Sequence, residues 1–111
     1  MLTKDQHCLE SILEATDRII EYTAGINSAD DFNIDYRNFD ATMMNFVIIG
    51  EVVDKLYEEF KREHPDIEWI KIKGFRNIVA HDYLGIDAEE VWQIIKNKIP
   101  SLKSDIKLLL D

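Results

Sequence analysis

Residues 37–62 read RNFDATMMNFVIIGEVVDKLYEEFKR, and this stretch decides the fold. Phe39, Met43, Phe46, Ile49, Gly50, Val53, Leu56, Tyr57 and Phe60 recur at three- and four-residue steps, which places them on one broad face of a helix. A strand would need strict alternation, which is absent. Val47, Ile48 and Val52 widen the face beyond what one neighbouring helix covers. The spacing therefore predicts a central helix over about 37–62, either fully interior or carrying a second surface for another chain. Met43 and Met44 at helical spacing are expected in the core, and Gly50 lets another backbone approach closely.

The same periodicity continues on both sides. Thr3 with Gln6 forms a capping-box pattern, after which Leu9, Ile12, Leu13, Thr16, Ile19, Ile20 and Thr23 mark a first helix that Gly25 ends. Residues 27–36 hold Ser28, Asp30, Asp31, Asn33 and Asp35, which suit a connector with a short helical piece. Its acids lack the glycine and terminal glutamate of a calcium loop, so no metal site is expected. His64-Pro65-Asp66 stops the central helix, and Ile67 to Ile72 read as a short turn or packed connector. A third helix is expected from about Gly74 to Gly85. Asp87 with Glu90 caps the next, Pro100 interrupts it, and residues 101–110 make the last. The fold class is all-α, a four- to five-helix up-and-down bundle forming a single domain over 1–111. Four glycines and two prolines in 111 residues also disfavour a turn-rich β fold.

The formal net charge of −9 argues against a generic nucleic-acid binder, whose phosphate contacts need Lys and Arg. Its distribution matters more. Residues 1–59 hold thirteen acidic and four basic side chains, whereas residues 60–111 hold nine of each. The single cysteine, Cys8, has no intramolecular disulfide partner and fits a reducing compartment. No apolar run approaches a membrane span and the N-terminus has no signal pattern, so a cytoplasmic protein is expected.

Chemistry concentrates in the balanced half, at Gly74-Phe-Arg-Asn-Ile-Val-Ala-His-Asp-Tyr-Leu-Gly85. Arg76 is a permanent cation with a fork suited to phosphate, His81 belongs to a residue type that titrates near neutral pH, and Tyr83 offers a hydroxyl. That combination suits phosphodiester chemistry. At about 100° per residue, Arg76 and Tyr83 share a helix face while His81 lies about 140° from Arg76. One straight helix cannot aim all three at one atom. Either the helix loosens near His81, or a second copy of the chain completes the site across a two-fold axis.

The run Arg76-Asn77-Ile78-Val79-Ala80-His81-Asp82-Tyr83 resembles the R-x-x-x-x-H-x-Y signature of the HEPN superfamily. Ile49-Gly50-Glu51, His64 to Trp69, Asp87 to Trp92 and Ile99-Pro100 extend the resemblance to its HepT-like toxin branch over roughly residues 37–105. Phe75, before the arginine, is a small departure from that pattern. The resemblance implies a dimerising bundle that cuts RNA without a metal or other cofactor, with the two motifs at the dimer interface. It implies that His81 acts as acid or base, that Arg76 stabilises phosphate charge, and that Tyr83 positions the phosphate. Asn77, Asp82 and Glu51 are supporting candidates. It further implies a toxin of a type II toxin-antitoxin pair, whose partner is a minimal nucleotidyltransferase that transfers AMP onto Tyr83. Such a modification adds bulk and negative charge beside Arg76 and His81.

Two other readings fit the same residues. One is a non-catalytic helical module that binds a nucleotide or docks a nucleotidyltransferase, with Arg76 on phosphate; the acidic first half favours it. The other is a purely structural dimer. The intact His81 favours an enzyme, since binding phosphate does not require a group that titrates.

Overall fold

A computed structural model describes all 111 residues. Seven α-helices run α1 Thr3–Thr23, α2 Ala29–Ile34, α3 Tyr36–Lys55, α4 Glu58–Glu63, α5 Trp69–His81, α6 Ala88–Asn97 and α7 Ile99–Leu110. A single 3₁₀ turn, Tyr83–Gly85, follows α5. The five longer helices match the expected bundle, and α2 and α4 are one-and-a-half-turn additions. No helix is long and apolar enough to cross a membrane.

Helix α3 is the hub, packed against α1 on one side and α5 on the other, with α7 closing over α1. Its buried residues Met43, Phe46, Ile49, Gly50 and Val53 are those the periodicity selects. Leu9, Ile12 and Ile19 of α1 and Ile106 of α7 are fully enclosed and complete the core. Both α3 contacts are antiparallel. Asp5 near the start of α1 bonds Tyr57 beyond the end of α3, and the α5 side contacts Asp54, Glu51 and Asp40 in that order through Lys73, Arg76 and Tyr83.

Several local expectations change. The central helix does not run through to Arg62: Leu56 and Tyr57 are extended, and α4 starts afresh at Glu58. The cause is a long-range cap. The buried Asp5 carboxylate accepts the Tyr57 N–H at 3.0 Å, while Lys61 Nζ reaches back to the Val53 carbonyl at 3.3 Å. Both groups satisfy backbone that a continuous helix would have paired itself.

Thr3 is not a capping residue; the cap position is Leu2, without a side-chain bond. Helix α5 begins at Trp69 rather than Gly74, because Ile67 and Trp69 are buried anchors and the Trp69 indole N–H donates to the His64 carbonyl at 3.0 Å. Met43 is core, but Met44 on the next position is exposed. Ser28 and Asp87 cap α2 and α6 with their side chains.

Candidate active site

The end of α5 is where the motif residues separate. Helix α5 stops at His81, Asp82 leaves helical geometry, and Gly85 closes the 3₁₀ turn with its N–H on the Asp82 carbonyl. A Cβ on Gly85 would sit 2.6 Å from the Asp82 carboxylate. The turn is therefore built on Asp82 lying over a residue without a side chain. The helix does loosen after His81, as one of the two sequence alternatives required, and Tyr83 no longer follows the α5 spiral.

Arg76 points back into the bundle and is only 9 % exposed. It crosses α3 at Gly50, where a Cβ would lie 2.2 Å from the Arg76 Cβ; only glycine admits the arginine stem there. Its guanidinium is held on three sides. Nε donates to Asn77 Oδ1 at 2.8 Å, Nη2 to Asp54 Oδ2 at 2.8 Å, and Nη1 to Glu51 Oε1. Of the five N–H groups of an arginine, two make no hydrogen bond within the chain.

Lys73 Nζ sits 3.1 Å from the other Asp54 oxygen, so two cations balance two carboxylates. The Arg76 hydrogen bond, with Lys73, holds the Asp54 carboxyl below the usual carboxylate range. Asp54 first and Glu51 second raise the already high basicity of Arg76. The guanidinium is thus fixed in place, charged and oriented by its neighbours.

Tyr83 is positioned by a row of rings. Trp92 packs on Phe32 at 5.6 Å, Phe32 on Phe39 at 4.9 Å, and Phe39 meets Tyr83 edge-on at 6.0 Å. The Tyr83 hydroxyl donates to Asp40 Oδ1, one residue along α3 from Phe39. Burial raises the Tyr83 pKa, and the hydrogen bond and charge of Asp40 raise it further. The residue is nonetheless 36 % exposed. It borders a concavity of about 490 Å³ with Asp40, Met43, Met44, Val47, Val79 and Ala80.

His81 is exposed at the last residue of α5 and makes no side-chain hydrogen bond within the chain. Among the supporting candidates, Asn77 and Glu51 bond Arg76 directly, while Asp82 serves the turn and bonds neither Arg76 nor His81. No side-chain hydrogen bond links Arg76, His81 and Tyr83 to one another.

The chain matches the family model described as "Ribonuclease HepT-like" over residues 12–109. The chain belongs to the HepT-like ribonuclease family. It is similar to a protein of Thermococcus cleftensis named "Probable ribonuclease HepT", 37% identical over 101 residues and 91% of each chain. Two proteins named "Putative RNase" are also similar. That of Caldanaerobacter subterraneus subsp. tengcongensis is 35% identical over 92% of this chain and 90% of its own length. That of Methanocaldococcus jannaschii is 31% identical over 91% of this chain and 92% of its own. No solved structure matches the chain.

In this HepT-like chain the residues that the motif did not predict are Asp40 and Asp54. Both lie on α3, far from the motif in sequence. A signal for them exists in retrospect: Asp40, Glu51 and Asp54 are spaced by eleven and three residues, which keeps them within about 60° of one another on a helix. They make an acidic stripe along the flank of an otherwise apolar face, and each of its members bonds a motif side chain.

Proposed function

We propose that this HepT-like chain is a cytoplasmic endoribonuclease that cuts RNA without a metal, at a site completed by a second copy of itself. The observation that carries this reading is the separation of the motif within one chain. Arg76 is fixed against α3, and His81 stands free in solvent on a different side of α5. Cleavage by the ribose 2′-hydroxyl needs a base to take its proton and an acid to protonate the departing 5′-oxygen. One chain offers one such histidine. Two copies offer two, one as base and one as acid, with the two free N–H groups of Arg76 aimed at the charge that builds on the phosphate.

The exposed apolar residues around the motif support a docking face for the second copy. Ile78 and Met44 are more than half exposed and Leu84 is 99 % exposed; Met44 lines the concavity with Met43, Val47 and Val79, and Ile78 and Leu84 lie within the motif stretch itself. The products are a 2′,3′-cyclic phosphate and a 5′-hydroxyl: the 2′-oxygen bonds phosphorus as the bond to the 5′-oxygen breaks. In the toxin-antitoxin reading, a nucleotidyltransferase partner neutralises the chain by transferring AMP to Tyr83. The added phosphodiester would crowd the face on which the second copy docks and repel RNA from it.

Purified protein whose intact mass shows no modification, incubated with total RNA in EDTA, is expected to leave cyclic-phosphate ends, and the His81→Ala variant to leave none. Absence of cleavage by the folded, unmodified protein across varied RNAs favours the alternative, a helical module that binds a nucleotide or docks a nucleotidyltransferase. The three Arg76 hydrogen bonds already made within the chain fit that alternative as well.

A further inference from the structure

The Tyr83 hydroxyl has one proton, and Asp40 holds it. A carboxylate only accepts hydrogen bonds, so the phenol is the donor of this pair and has no proton left for a phosphate oxygen. What the oxygen can still offer is a lone pair. Asp40 and Tyr83 are the two titratable residues among the seven that line the concavity; the others are Met43, Met44, Val47, Val79 and Ala80, which cannot compete for that proton. Phe39, edge-on to the ring, fixes the phenol against the same turn of α3 that carries Asp40. The arrangement is that of a nucleophile with its base already on it.

We propose that Asp40 is the general base for Tyr83, and that Tyr83 reacts as a nucleophile at an electron-poor centre such as the α-phosphorus of a nucleoside triphosphate. In that step the Tyr83 oxygen bonds phosphorus, the bond between phosphorus and the bridging oxygen to the β-phosphate breaks, and pyrophosphate leaves with the electron pair. The proton passes from Tyr83 Oη to Asp40 Oδ1. With a nucleoside triphosphate as reactant, the inference rests on the reading of Tyr83 as a nucleotide acceptor; the role of Asp40 is tested apart from it. The raised Tyr83 pKa agrees with the need for a base, since little phenolate forms near neutral pH.

The probe is N-acetylimidazole, a small acylating electrophile that needs neither partner nor RNA. Acetylation of Tyr83, read by peptide mass and compared with Tyr36, which is 76 % exposed, is followed from pH 6 to 8 with correction for reagent hydrolysis. With Asp40 as base, Tyr83 reacts at a nearly constant rate across this range, whereas Tyr36, through its phenolate, gains about tenfold per pH unit. Asp40→Asn then slows Tyr83 by at least about tenfold at pH 7, general-base assistance being worth on the order of 10²–10⁴. Asp40→Glu, which keeps a carboxylate, keeps the flat profile. Faster acetylation in Asp40→Asn, or a wild-type rate that climbs tenfold per pH unit, would overturn the proposal, because the carboxylate then only locks the phenol. Both outcomes are independent of whether the protein cuts RNA, and circular dichroism of the variants confirms that this exposed substitution leaves the helices intact.

Discussion

At the scale of single residues, the site is a set of charges held by charges. Arg76 reaches its position because Asn77, Glu51 and Asp54 take three of its N–H groups, and the Asp54 contact contributes to the acid sensitivity of the fold. Asp54 has a folded pKa lowered chiefly by the Arg76 hydrogen bond. Its ionised form therefore stabilises the native state above the ordinary aspartate range, and the contribution is lost as pH falls through the lower, folded value. Urea melts of wild type and Asp54→Asn should differ by a constant amount from pH 7 to 5 and converge below about pH 4. A gap that persists unchanged to pH 3 would show that the Asp54 charge does not matter to stability. The arginine and histidine of this candidate site stand out in the sequence because they lie in one short motif. Their anchors do not: Asp40 is 43 residues from Tyr83 and Asp54 is 22 from Arg76, and only the antiparallel packing of α3 and α5 brings them together.

At the scale of elements, the decisive contact is the crossing of α3 and α5 at Gly50. A glycine inside an apolar helix face predicts a close approach there, and the approaching group is the stem of Arg76 rather than bare backbone. Gly50→Ala puts a methyl 2.2 Å from Arg76 Cβ and 2.5 Å from Cγ. Those atoms are too near the α5 backbone to swing aside, so the helices must part. Overpacking of this kind costs about 1–3 kcal/mol, only partly offset by about 1 kcal/mol of better helix propensity. A lower urea midpoint with an unchanged slope is expected, and RNA cleavage should fall with it because Arg76 moves with α5. A variant as stable as wild type would mean the crossing is looser than it stands. Periodicity found α1 and the buried face of α3 because their apolar stripes are local signals. It missed the break at Leu56–Tyr57 because the Asp5 cap comes from 52 residues away. It also started α5 late, since Gly74 reads as a breaker while the anchoring of Trp69 is tertiary.

At the scale of the whole molecule, the stretch that carries the exposed His81 also carries the exposed apolar residues Ile78 and Leu84. Met44 lines the concavity next to Tyr83, Ile78 and Leu84 are exposed beside Val79 and Tyr83 in the chain, and His81 is exposed at the end of α5. The acidic excess lies in residues 1–59, which supply Asp40, Glu51 and Asp54, whereas acidic and basic side chains balance in residues 60–111, which carry the motif. A site shared between two copies needs both histidines at each cut, and this makes a quantitative claim. Wild-type and His81→Ala protein, mixed in varied ratio at constant total concentration and allowed to exchange subunits, should cleave RNA in proportion to the square of the wild-type fraction, because only dimers with two intact histidines act. A linear dependence on that fraction would contradict the account, since each chain would then cut alone.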